Sequence, residues 1–297
     1  MRLSPVDILM IGNFAKDKLI VDNREQIASG GGVYYGSVVI QRLGLCTAVV
    51  TRLHPDDFPR LEELRSEGVT VFATAAEGTS GIANYYQSSD MERRICKPIG
   101  FGGKFSIKEI PEIPTRAIMV TPLFSGEIDL NLLQELASRA PLALDIQGFV
   151  RVPFGDDLIF QPWEQLSEGL KCVNWLKVDL AEAEYLTGQN NPRDAILKLT
   201  KMGPREIILT RSAGVMVFSN GDFYEAPFTP RSLKGRTGRG DTCFSSYIAR
   251  RLDSSPAEAC AWAGIITSLK QEVAGPWKGS PKDVSDIIIN GYPGSGI

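Results

Sequence analysis

Short apolar runs alternate along this chain with stretches in which apolar residues recur at helical spacing. The runs predict strands at residues 6–12, 46–53, 117–123, 142–147, 173–179, 206–211 and 214–219. The helically spaced stretches predict helices at residues 33–44, 59–68, 129–140, 181–188 and 192–203. Apolar strands that alternate with amphipathic helices are typical of an α/β fold with a mostly parallel sheet covered on both faces. Ligands of such sheets bind beyond the carboxyl ends of the strands.

Two segments break this alternation. Residues 79–100 contain two strand-like pieces around a polar turn, and residues 14–32 share their character. Together they predict a small β-layer outside the main sheet. The pattern is compatible with an ordinary hairpin and with a lid over a ligand site. Because the chain has no repeats, low-complexity tracts or long linkers, we expect a single domain over residues 1–297 that includes this layer.

Composition excludes several classes of partner. The chain has 297 residues, of which 43% are hydrophobic and 23% charged, as in an ordinary globular protein. Its formal net charge of -3 gives no electrostatic reason to bind nucleic acid or an anionic membrane. The N-terminus has only a short apolar run, and no stretch approaches the roughly 18 apolar residues of a membrane-spanning helix. We therefore expect a cytoplasmic protein.

Histidine and cysteine are too sparse for several kinds of active site. The five cysteines are scattered, odd in number and without CxxC spacing, which argues against a disulfide framework and a zinc site. The one histidine, His54, lies in a loop-like segment, and any histidine-based triad or metal site would have to use it. We expect catalysis to rely on carboxylates, backbone amides and a bound metal.

One glycine-rich segment carries the clearest chemical signal. Gly238, Arg239 and Gly240 lead into Asp241 and a predicted helix at residues 242–252, without the pattern of a P-loop. Glycine lets the backbone direct successive amide groups to one point, and a helix N-terminus adds donors and a partial positive charge. This arrangement predicts an anion site suited to a phosphoryl group, and the arginines of the segment would strengthen its field.

Asp241 has two interpretations. As an N-cap it would accept hydrogen bonds from amides of the first helical turn. As a general base it would take the proton of a substrate hydroxyl, beside the amides that stabilise the transferred phosphoryl group. The spacing alone favours the N-cap, and a second group of motifs reverses that order.

The segment RTGRGDTCFSSYI resembles the signature of the PfkB/ribokinase family of sugar kinases, D-T-x-G-A-G-D-x-F followed by a helix. It matches that signature at Thr237, Gly238, Gly240, Asp241 and Phe244. Further segments are similar to motifs of the family and stand in the family's order: GNFAKD at 12–17, SGGGVYYGSVVIQRLG at 29–44, LKVDLAEAEYLTG at 176–188 and LTRSAG at 209–214. The resemblance covers most of the chain, and the order of its motifs makes it specific.

This resemblance implies a ribokinase-like three-layer α/β/α sandwich with a mostly parallel central sheet and a small β-sheet lid, formed by segments 14–32 and 79–100. It also implies a kinase that uses ATP with Mg²⁺ to phosphorylate a hydroxyl of a small polyol or sugar. Phosphoryl transfer depends mainly on positioning and charge neutralisation, which fits the shortage of histidine. The family's lids suggest either a monomer or a homodimer paired through them.

The resemblance assigns roles to residues at matching positions. Asp241 would be the general base, with Gly238, Arg239 and Gly240 in the anion hole beside it. The substrate would contact Asn13, Asp17, Gly31, Gly32, Tyr34, Asp145, Gln147 and Arg151, with the two glycines as the hinge of the lid. The nucleotide would contact Lys177, Thr210, Ser212, Gly214, Thr237, Gly238 and Gly240. Asp179 and Glu182 would act on the magnesium ion through water.

Four positions depart from the family's pattern. Gly235 replaces the first aspartate of the signature, Asp179 replaces an asparagine, and Tyr35 stands where many members carry asparagine. Asp179 keeps oxygen atoms for the waters of magnesium, so we expect metal binding to survive. Arg239 replaces a small alanine in the anion hole. Three outcomes stay open for it: a phosphate clamp, an outward side chain that alters which donor is accepted, or an exposed side chain with the backbone role unchanged.

The stretch LALDIQGFVRV at 142–152 resembles the plant myo-inositol kinase branch of the family, so myo-inositol is the first candidate substrate. Asp145, Gln147 and Arg151 would then face the cleft, where buried polar groups suit a ring with hydroxyls all round. Alternatively, Asp145 would cap the turn after its strand and Arg151 would be solvated. A kinase for another polyol, sugar or nucleoside stays open, and so does a catalytically impaired member that acts as a ligand-binding regulator.

Overall fold

The computed structural model describes residues 3–87 and 90–291, and for residues 90–94 it describes the backbone alone. The strands are β1 (Val6–Ile11), β2 (Ala15–Val21), β3 (Arg24–Gly30), β4 (Thr47–Leu53), β5 (Thr70–Ala75), β6 (Ile82–Gln87), β7 (Asp90–Pro98), β8 (Thr115–Val120), β9 (Leu142–Asp145), β10 (Arg151–Phe154), β11 (Asp157–Phe160), β12 (Trp175–Asp179), β13 (Glu206–Arg211), β14 (Gly214–Ser219) and β15 (Asp222–Pro227). The helices are α1 (Gly32–Arg42), α2 (Glu62–Arg65), α3 (Leu130–Arg139), α4 (Gln147–Val150), α5 (Leu166–Leu170), α6 (Leu180–Thr187), α7 (Pro192–Thr200), α8 (Arg239–Arg251), α9 (Pro256–Gln271) and α10 (Pro281–Asn290). Short 3₁₀ turns occupy Pro55–Leu61 and Ile107–Glu109.

A nine-stranded sheet forms the centre of the described structure, in the order β15-β14-β13-β12-β9-β8-β1-β4-β5. The strands from β13 to β5 run parallel, and β14 and β15 are added antiparallel at one edge. The prediction of a mostly parallel α/β sheet is confirmed. The carboxyl ends of the parallel strands therefore meet along one edge, where the predicted site residues after β1, β9, β12 and β13 are found.

Both faces of this sheet are buried. Along β1, Ile8 and Met10 pack into an apolar cluster with α1, α8 and α9, whereas Leu9 and Ile11 pack into another with α3, α6 and α7. Successive side chains of a strand point to opposite faces, so burial on both faces requires an uninterrupted apolar run. The result is a sandwich of helix, sheet and helix layers. Among the described residues, no helix combines the length and the apolar character that crossing a membrane requires.

The lid is a four-stranded sheet in the order β3-β2-β6-β7, built from the two segments that break the α/β alternation. In it β2 pairs antiparallel with β3 and parallel with β6, and β6 pairs antiparallel with β7. Ser88 and Ser89, from the predicted polar turn, lie outside the described residues. The lid is followed by Gly31, the N-cap of α1, whose φ of +87° is a conformation that favours glycine.

Some elements differ from the predictions. Residues 59–68, predicted as a helix, form the end of a 3₁₀ turn, one α-helical turn at Glu62–Arg65 and a turn that ends at Gly68, whose φ is +85°. The strand predicted to reach residue 147 ends at Asp145, and α4 begins two residues later. The pattern does not predict β5, β15 or the β10–β11 hairpin, since these edge or separate strands are only partly buried.

Candidate active site

The glycine-rich segment forms the N-terminus of α8. The helix begins at Arg239 with Gly238 as its N-cap, and Asp241 lies in its first turn. The interpretation of Asp241 as the N-cap is therefore wrong, and so is the predicted helix start at residue 242. Gly238 has a φ of +82°, and a Cβ at this position would overlap the ring of Tyr35, so the local geometry requires glycine for two reasons.

A cavity of about 120 Å³ lies at this helix N-terminus. It is lined by Gln147, Arg151, Lys177, Asp179, Thr210, Arg236, Gly238, Arg239, Gly240 and Asp241. Four of these side chains are cationic and two are carboxylates, so the lining favours an anionic ligand. The structure thus brings the predicted catalytic residues together with several of the predicted substrate, nucleotide and metal residues.

Two cations and three carboxylates form a connected network of ion pairs at this cavity. Lys177 Nζ lies 3.1 Å from Asp145 Oδ1 and 3.6 Å from Glu182 Oε2. Arg151 Nη2 lies 2.9 Å from Asp179 Oδ2 and 3.0 Å from Glu182 Oε1. The side chains of Lys177, Asp145 and Glu182 are at most 4% exposed. Charges at this depth are tolerated because each one is paired.

Of the two interpretations of Asp145, the structure shows the cap of the turn, and a role in substrate binding stays a prediction. Its Oδ1 accepts a hydrogen bond from the Gln147 amide at 3.0 Å, which closes the turn after β9, and a second one from Lys177 at 3.1 Å. Arg151 is not a solvated side chain, because its guanidinium is held by two carboxylates and is only 16% exposed. That alternative for Arg151 is wrong.

The network shifts the pKa of two of its members. Burial alone would lower the pKa of Lys177, but the carboxylates of Asp145, Glu182 and Asp179 outweigh burial and raise it above its usual value. Burial raises the pKa of Glu182 to about 7, although Lys177 and Arg151 oppose the rise. Lys177 is therefore a permanent cation at neutral pH, whereas Glu182 titrates near neutrality.

Asp179 and Glu182 owe their positions to the start of α6. Asp179 is its N-cap and accepts a hydrogen bond from the Glu182 amide at 2.8 Å, and Glu182 Oε2 accepts one from the Asp179 amide at 2.7 Å. Among the side chains that the structure describes, no three of His, Cys, Asp or Glu converge as metal ligands. A magnesium ion here would take its ligands from phosphate and water, with these two carboxylates beside it. The residues fit such an ion, since Mg²⁺ usually keeps several waters and binds through substrate phosphates.

A second group of predicted residues lies around Tyr35 and the lid. Asp17 on β2 is buried, and its Oδ1 accepts a hydrogen bond from the Ile82 amide at 2.8 Å. A Cβ at Gly30 would overlap this carboxylate. Burial, followed by the negative charges of Asp17 and Asp241, raises the pKa of Tyr35. The lid carboxylate and the candidate general base are therefore both close to this one ring.

Asn13 and Thr121 follow β1 and β8 and are buried at the same edge of the sheet. Among the described residues, the Thr121 hydroxyl has no hydrogen-bond partner, and neither polar atom of Asn13 reaches hydrogen-bonding geometry. A Cβ at Gly31 would lie 2.6 Å from the carbonyl oxygen of Asn13, and one at Gly32 would lie 2.6 Å from Thr121 Cβ. Glycine backbone thus packs closely around a small group of unsatisfied polar atoms.

Two predicted residues, Ser212 and Gly214, lie apart from both groups, whereas the Tyr34 ring packs edge to face against Tyr35 with ring centres 5.2 Å apart. The Tyr34 hydroxyl donates to Glu63 Oε2 at 2.6 Å. Ser212 belongs to the turn between β13 and β14, Gly214 begins β14, and of the described residues in that region only Thr210 lines the cavity. Their roles in binding substrate and nucleotide stay predictions.

The lid reaches the loop that precedes α8. The Tyr86 hydroxyl on β6 lies 3.0 Å from the hydroxyl of Thr237. Val21 of β2 pairs with Tyr86, and Asp17 lies four residues before Val21, so Asp17 and Tyr86 share one face of the lid. The face of the lid that carries these two side chains therefore covers the site.

The sequence did not single out two buried charges near the site. Lys270 in α9 donates to the carbonyl oxygens of Gly235 and Thr237. Lys270 lies in the last turn of α9, where a lysine is ordinary, so its position in the sequence does not signal burial. Glu127 accepts a hydrogen bond from the Leu123 amide at 2.7 Å and burial raises its pKa to about 7, but the sequence around it gives no signal either.

Comparison with known proteins supports these assignments of fold and class. A model of the family described as "pfkB family carbohydrate kinase" matches residues 16–268. A pyrophosphate-dependent kinase in the ribokinase family, solved as a sulfate complex, is 36% identical, with 91% of this chain and 97% of that chain covered and a TM-score of 0.86. A pyrophosphate-dependent kinase in that family, complexed with a pyrophosphate analog and myo-inositol, is 34% identical. The match covers 95% of this chain and 99% of that chain, with a TM-score of 0.86.

A curated relative has a different acceptor in its name. The cytidine kinase of Thermococcus kodakarensis is 24% identical over 284 residues, which are 92% of this chain and 97% of that protein. The predicted ribokinase-like fold with its lid is confirmed by the structural likeness. The motifs, the geometry at the N-terminus of α8 and the match over residues 16–268 agree, and the chain belongs to the pfkB family of carbohydrate kinases and is a phosphotransferase.

Proposed function

We propose that this kinase transfers a phosphoryl group from pyrophosphate to a hydroxyl of myo-inositol. The observation that carries the proposal is the cavity at the N-terminus of α8, where Asp241 shares a small volume with four cationic side chains. Every residue of the lining is polar, charged or glycine, so the cavity lacks the apolar side chains against which a purine base would pack. We call this cavity the donor side, and the group of Asn13, Asp17 and Thr121 the acceptor side.

Asp241 acts as the general base in this proposal. An acceptor hydroxyl gives its proton to the Asp241 carboxylate while its oxygen attacks the terminal phosphorus of the donor, and the bridging P–O bond of pyrophosphate breaks. The products are an inositol monophosphate and inorganic phosphate, and Asp241 then releases its proton to solvent. The amides of the first turn of α8, including that of Gly240, stabilise charge on the transferred group.

The cations of the lining neutralise the remaining charge of the donor. Arg236 and Arg239 come from the segment around the N-cap of α8, and Lys177 comes from β12. Arg239 lines the cavity, which supports the phosphate clamp over an exposed side chain. A guanidinium binds phosphate through two parallel hydrogen bonds, a geometry that an ammonium group does not reproduce. We therefore assign Arg239 to donor binding.

Magnesium fits this arrangement as a partner of the donor. When bound, the ion would neutralise charge on the phosphate oxygens. Asp179 and Glu182 would accept hydrogen bonds from its water ligands. Arg151 already contacts both carboxylates at 2.9 and 3.0 Å, so the chain itself supplies a positive charge at this edge.

Myo-inositol is proposed as the acceptor on two grounds. The relative that is 34% identical over nearly its whole length was solved with myo-inositol. In this chain, the acceptor side presents buried carboxylate, amide and hydroxyl groups, and the hydroxyl of Thr121 is unsatisfied among the described residues. A ring with a hydroxyl on every carbon suits such a site, because an analogue that lacks a hydroxyl would leave a buried polar group unpaired.

Two other kinase functions each have an observation in their favour. ATP is the donor that the resemblance to the wider family implies. A nucleoside acceptor is suggested by the relative named as a cytidine kinase. The impaired, ligand-binding regulator is disfavoured because Asp241 and Glu182 are both present and placed at the cavity edge.

Initial rates with pyrophosphate or ATP as donor, and with myo-inositol, ribose or cytidine as acceptor, test the proposal. We expect the highest kcat/KM for pyrophosphate with myo-inositol. Asp241→Asn should lower kcat by about 10²–10⁴-fold, the usual contribution of a general base, while the analogue methylenediphosphonate still binds. A higher kcat/KM with ATP would replace pyrophosphate as the proposed donor, and a higher kcat/KM with cytidine would replace myo-inositol as the proposed acceptor. If the wild type and Asp241→Asn showed the same negligible turnover, the proposal that this protein catalyses phosphoryl transfer would be contradicted.

We also propose that two lids pair to form a homodimer. Ile27 and Ile95 lie on the face of the lid opposite Asp17 and are 46% and 65% exposed. Exposed apolar side chains on one sheet face are typical of a surface that another protein covers. Light scattering should give twice the 32.5 kDa mass of one chain, and a single-chain mass at every concentration would refute the pairing.

A further inference from the structure

Lys270 is a buried cation that the proposed chemistry does not use. It lies near the end of α9, and its side chain is fully buried. Lysine side chains are almost never buried to this extent unless they are paired with a carboxylate. Lys177 and Arg151 of the site pair with carboxylates, whereas the ammonium group of Lys270 donates to backbone carbonyls.

The ammonium group of Lys270 holds the loop that precedes α8. It donates to the carbonyl oxygens of Gly235 and Thr237, and it lies 4.9 Å from the centre of the Tyr35 ring. The Gly235 amide in turn donates to the carbonyl oxygen of Gln271 at 2.8 Å. A Cβ at Gly235 would overlap the carbonyl of Val273, so this close approach of the two backbones requires glycine.

One of the two carbonyls that Lys270 holds belongs to the residue directly before the candidate anion hole. Thr237 directly precedes Gly238, the N-cap of α8, and Gly238 packs against the same Tyr35 ring that the Lys270 ammonium faces. The amides that follow Gly238 begin α8 and line the donor side. A shift of the two carbonyls bound by Lys270 would therefore move the N-cap and the direction of these amides.

The buried charge carries a cost. Burial lowers the pKa of Lys270 to about 7, and Asp241 opposes this lowering. An apolar side chain of similar length would avoid the desolvation of an ammonium group. The cost is understandable if the two carbonyls need a donor at this point, because an unsatisfied buried carbonyl is also costly.

We propose that Lys270 is a positioning residue for phosphoryl transfer, which holds the carbonyls of Gly235 and Thr237 so that the first amides of α8 point at the transferred group. The inference rests on the proposed function. Lys270 does not line the donor cavity and bonds to the backbone of the loop, so it acts through the loop. Its loss should lower kcat and weaken donor binding, whereas the KM for the acceptor should change little.

Lys270→Met tests this role, because methionine keeps the length of the side chain and removes all three donors. We expect kcat with pyrophosphate and myo-inositol to fall about 10²-fold, the usual effect of misplacing an anion-hole group. The Kd for methylenediphosphonate should rise about tenfold, and the KM for myo-inositol should stay within about threefold. Lys198→Met is the matched control, since Lys198 donates to the Thr187 carbonyl at 2.7 Å on α7, away from the site.

Lys270→Gln is the second variant, for the case that Lys270→Met does not fold. Its amide still donates two hydrogen bonds, so we expect a smaller loss of kcat, about tenfold, with the acceptor KM again unchanged. Unchanged kcat and unchanged analogue affinity in a folded variant would overturn the inference and leave the proposed function intact. If kcat fell only in proportion to the loss of folded protein, the role of Lys270 would be purely structural, and the inference would also be overturned. A wild type that neither binds the analogue nor turns over would instead overturn the proposed function.

Discussion

Next to the donor side, the buried charges of Lys177, Asp145 and Glu182 have partners within 3.6 Å, whereas on the acceptor side the Thr121 hydroxyl has no hydrogen-bond partner among the described residues. Both regions lie at the carboxyl edge of one sheet. Unpaired buried charges are far more costly than unpaired hydroxyl or amide groups. Buried charges on either side therefore have to be paired or hydrogen-bonded without a ligand, as Asp17 is by the Ile82 amide, whereas the uncharged Thr121 hydroxyl does not.

This difference has a consequence for catalysis. Cations and amides that are already in place need no reorganisation when the charge of the phosphoryl group develops. Unsatisfied polar groups on the acceptor side lower the stability of the free protein and recover hydrogen bonds when a polyol binds. We thus expect substitutions on the donor side to affect folding and kcat, and substitutions on the acceptor side to affect mainly the KM for the acceptor.

The largest expected effect follows removal of the central cation of the donor side. Lys177→Met leaves the buried carboxylates of Asp145 and Glu182 without a shared partner. We expect the free energy of unfolding to fall by about 3–5 kcal/mol, the usual cost of breaking a buried ion pair on one side. Urea denaturation measures it. Lys104→Met is the control, because the Lys104–Asp129 pair is largely exposed and should contribute less than about 1 kcal/mol.

The pH dependence of Lys177→Met provides a second measurement of the same change. Burial raises the pKa of Glu182 from its usual 4.5 to about 7, so its contribution to stability is present at low pH and is lost as the pH rises through about 7. Removing Lys177, the strongest opposing charge, should raise this pKa further. The deficit in unfolding free energy should therefore be larger at about pH 8 than at about pH 5. Equal deficits at both values would show that Glu182 does not depend on Lys177.

The sequence predicted the donor side more completely than the acceptor side, for a physical reason. Asp179 and Glu182 form a capping box within one turn of α6, and Gly238 and Asp241 lie within one turn of α8, so short motifs contain them. Thr121, in contrast, meets Gly32 only after the sheet has formed. No local pattern reports such a contact.

Even on the donor side, the sequence did not predict the backbone conformation. Spacing alone favoured Asp241 as the N-cap, yet the N-cap is Gly238, which adopts a left-handed conformation against Tyr35. The contact of Lys270 with Gly235 and Thr237 spans more than 30 residues and depends on how α9 packs beneath the loop. Motifs identify which residues are close in sequence to the chemistry, whereas packing decides which distant ones support it.

Asp17→Asn should separate the two sides with an intermediate effect. Asparagine keeps an oxygen that can accept the hydrogen bond from the Ile82 amide, now 2.8 Å long, so the lid should fold. The negative charge that would bind the acceptor is lost. We expect the KM for myo-inositol to rise about tenfold to a hundredfold, as for loss of one hydrogen bond to a charged group. The Kd of methylenediphosphonate should not change.

Asp56→Asn is the control for this substitution, because Asp56 is almost fully exposed outside both groups. Isothermal titration with the donor analogue and initial rates with myo-inositol measure the two quantities. A weaker donor affinity in Asp17→Asn, with an unchanged acceptor KM, would reverse the assignment of the two sides.

The smallest expected effect concerns the contact that joins the two sides. The hydroxyls of Tyr86 on the lid and Thr237 before α8 lie 3.0 Å apart, so a hydrogen bond joins the lid to the loop before α8. Lys270 holds the same loop through the carbonyl oxygen of Thr237. Tyr86→Phe and Thr237→Val should each lower kcat/KM about fivefold, as expected for one neutral hydrogen bond. Because they remove the same bond, the double variant should lose no more than either single one. Additive losses in this cycle would show that the lid and the donor side act independently.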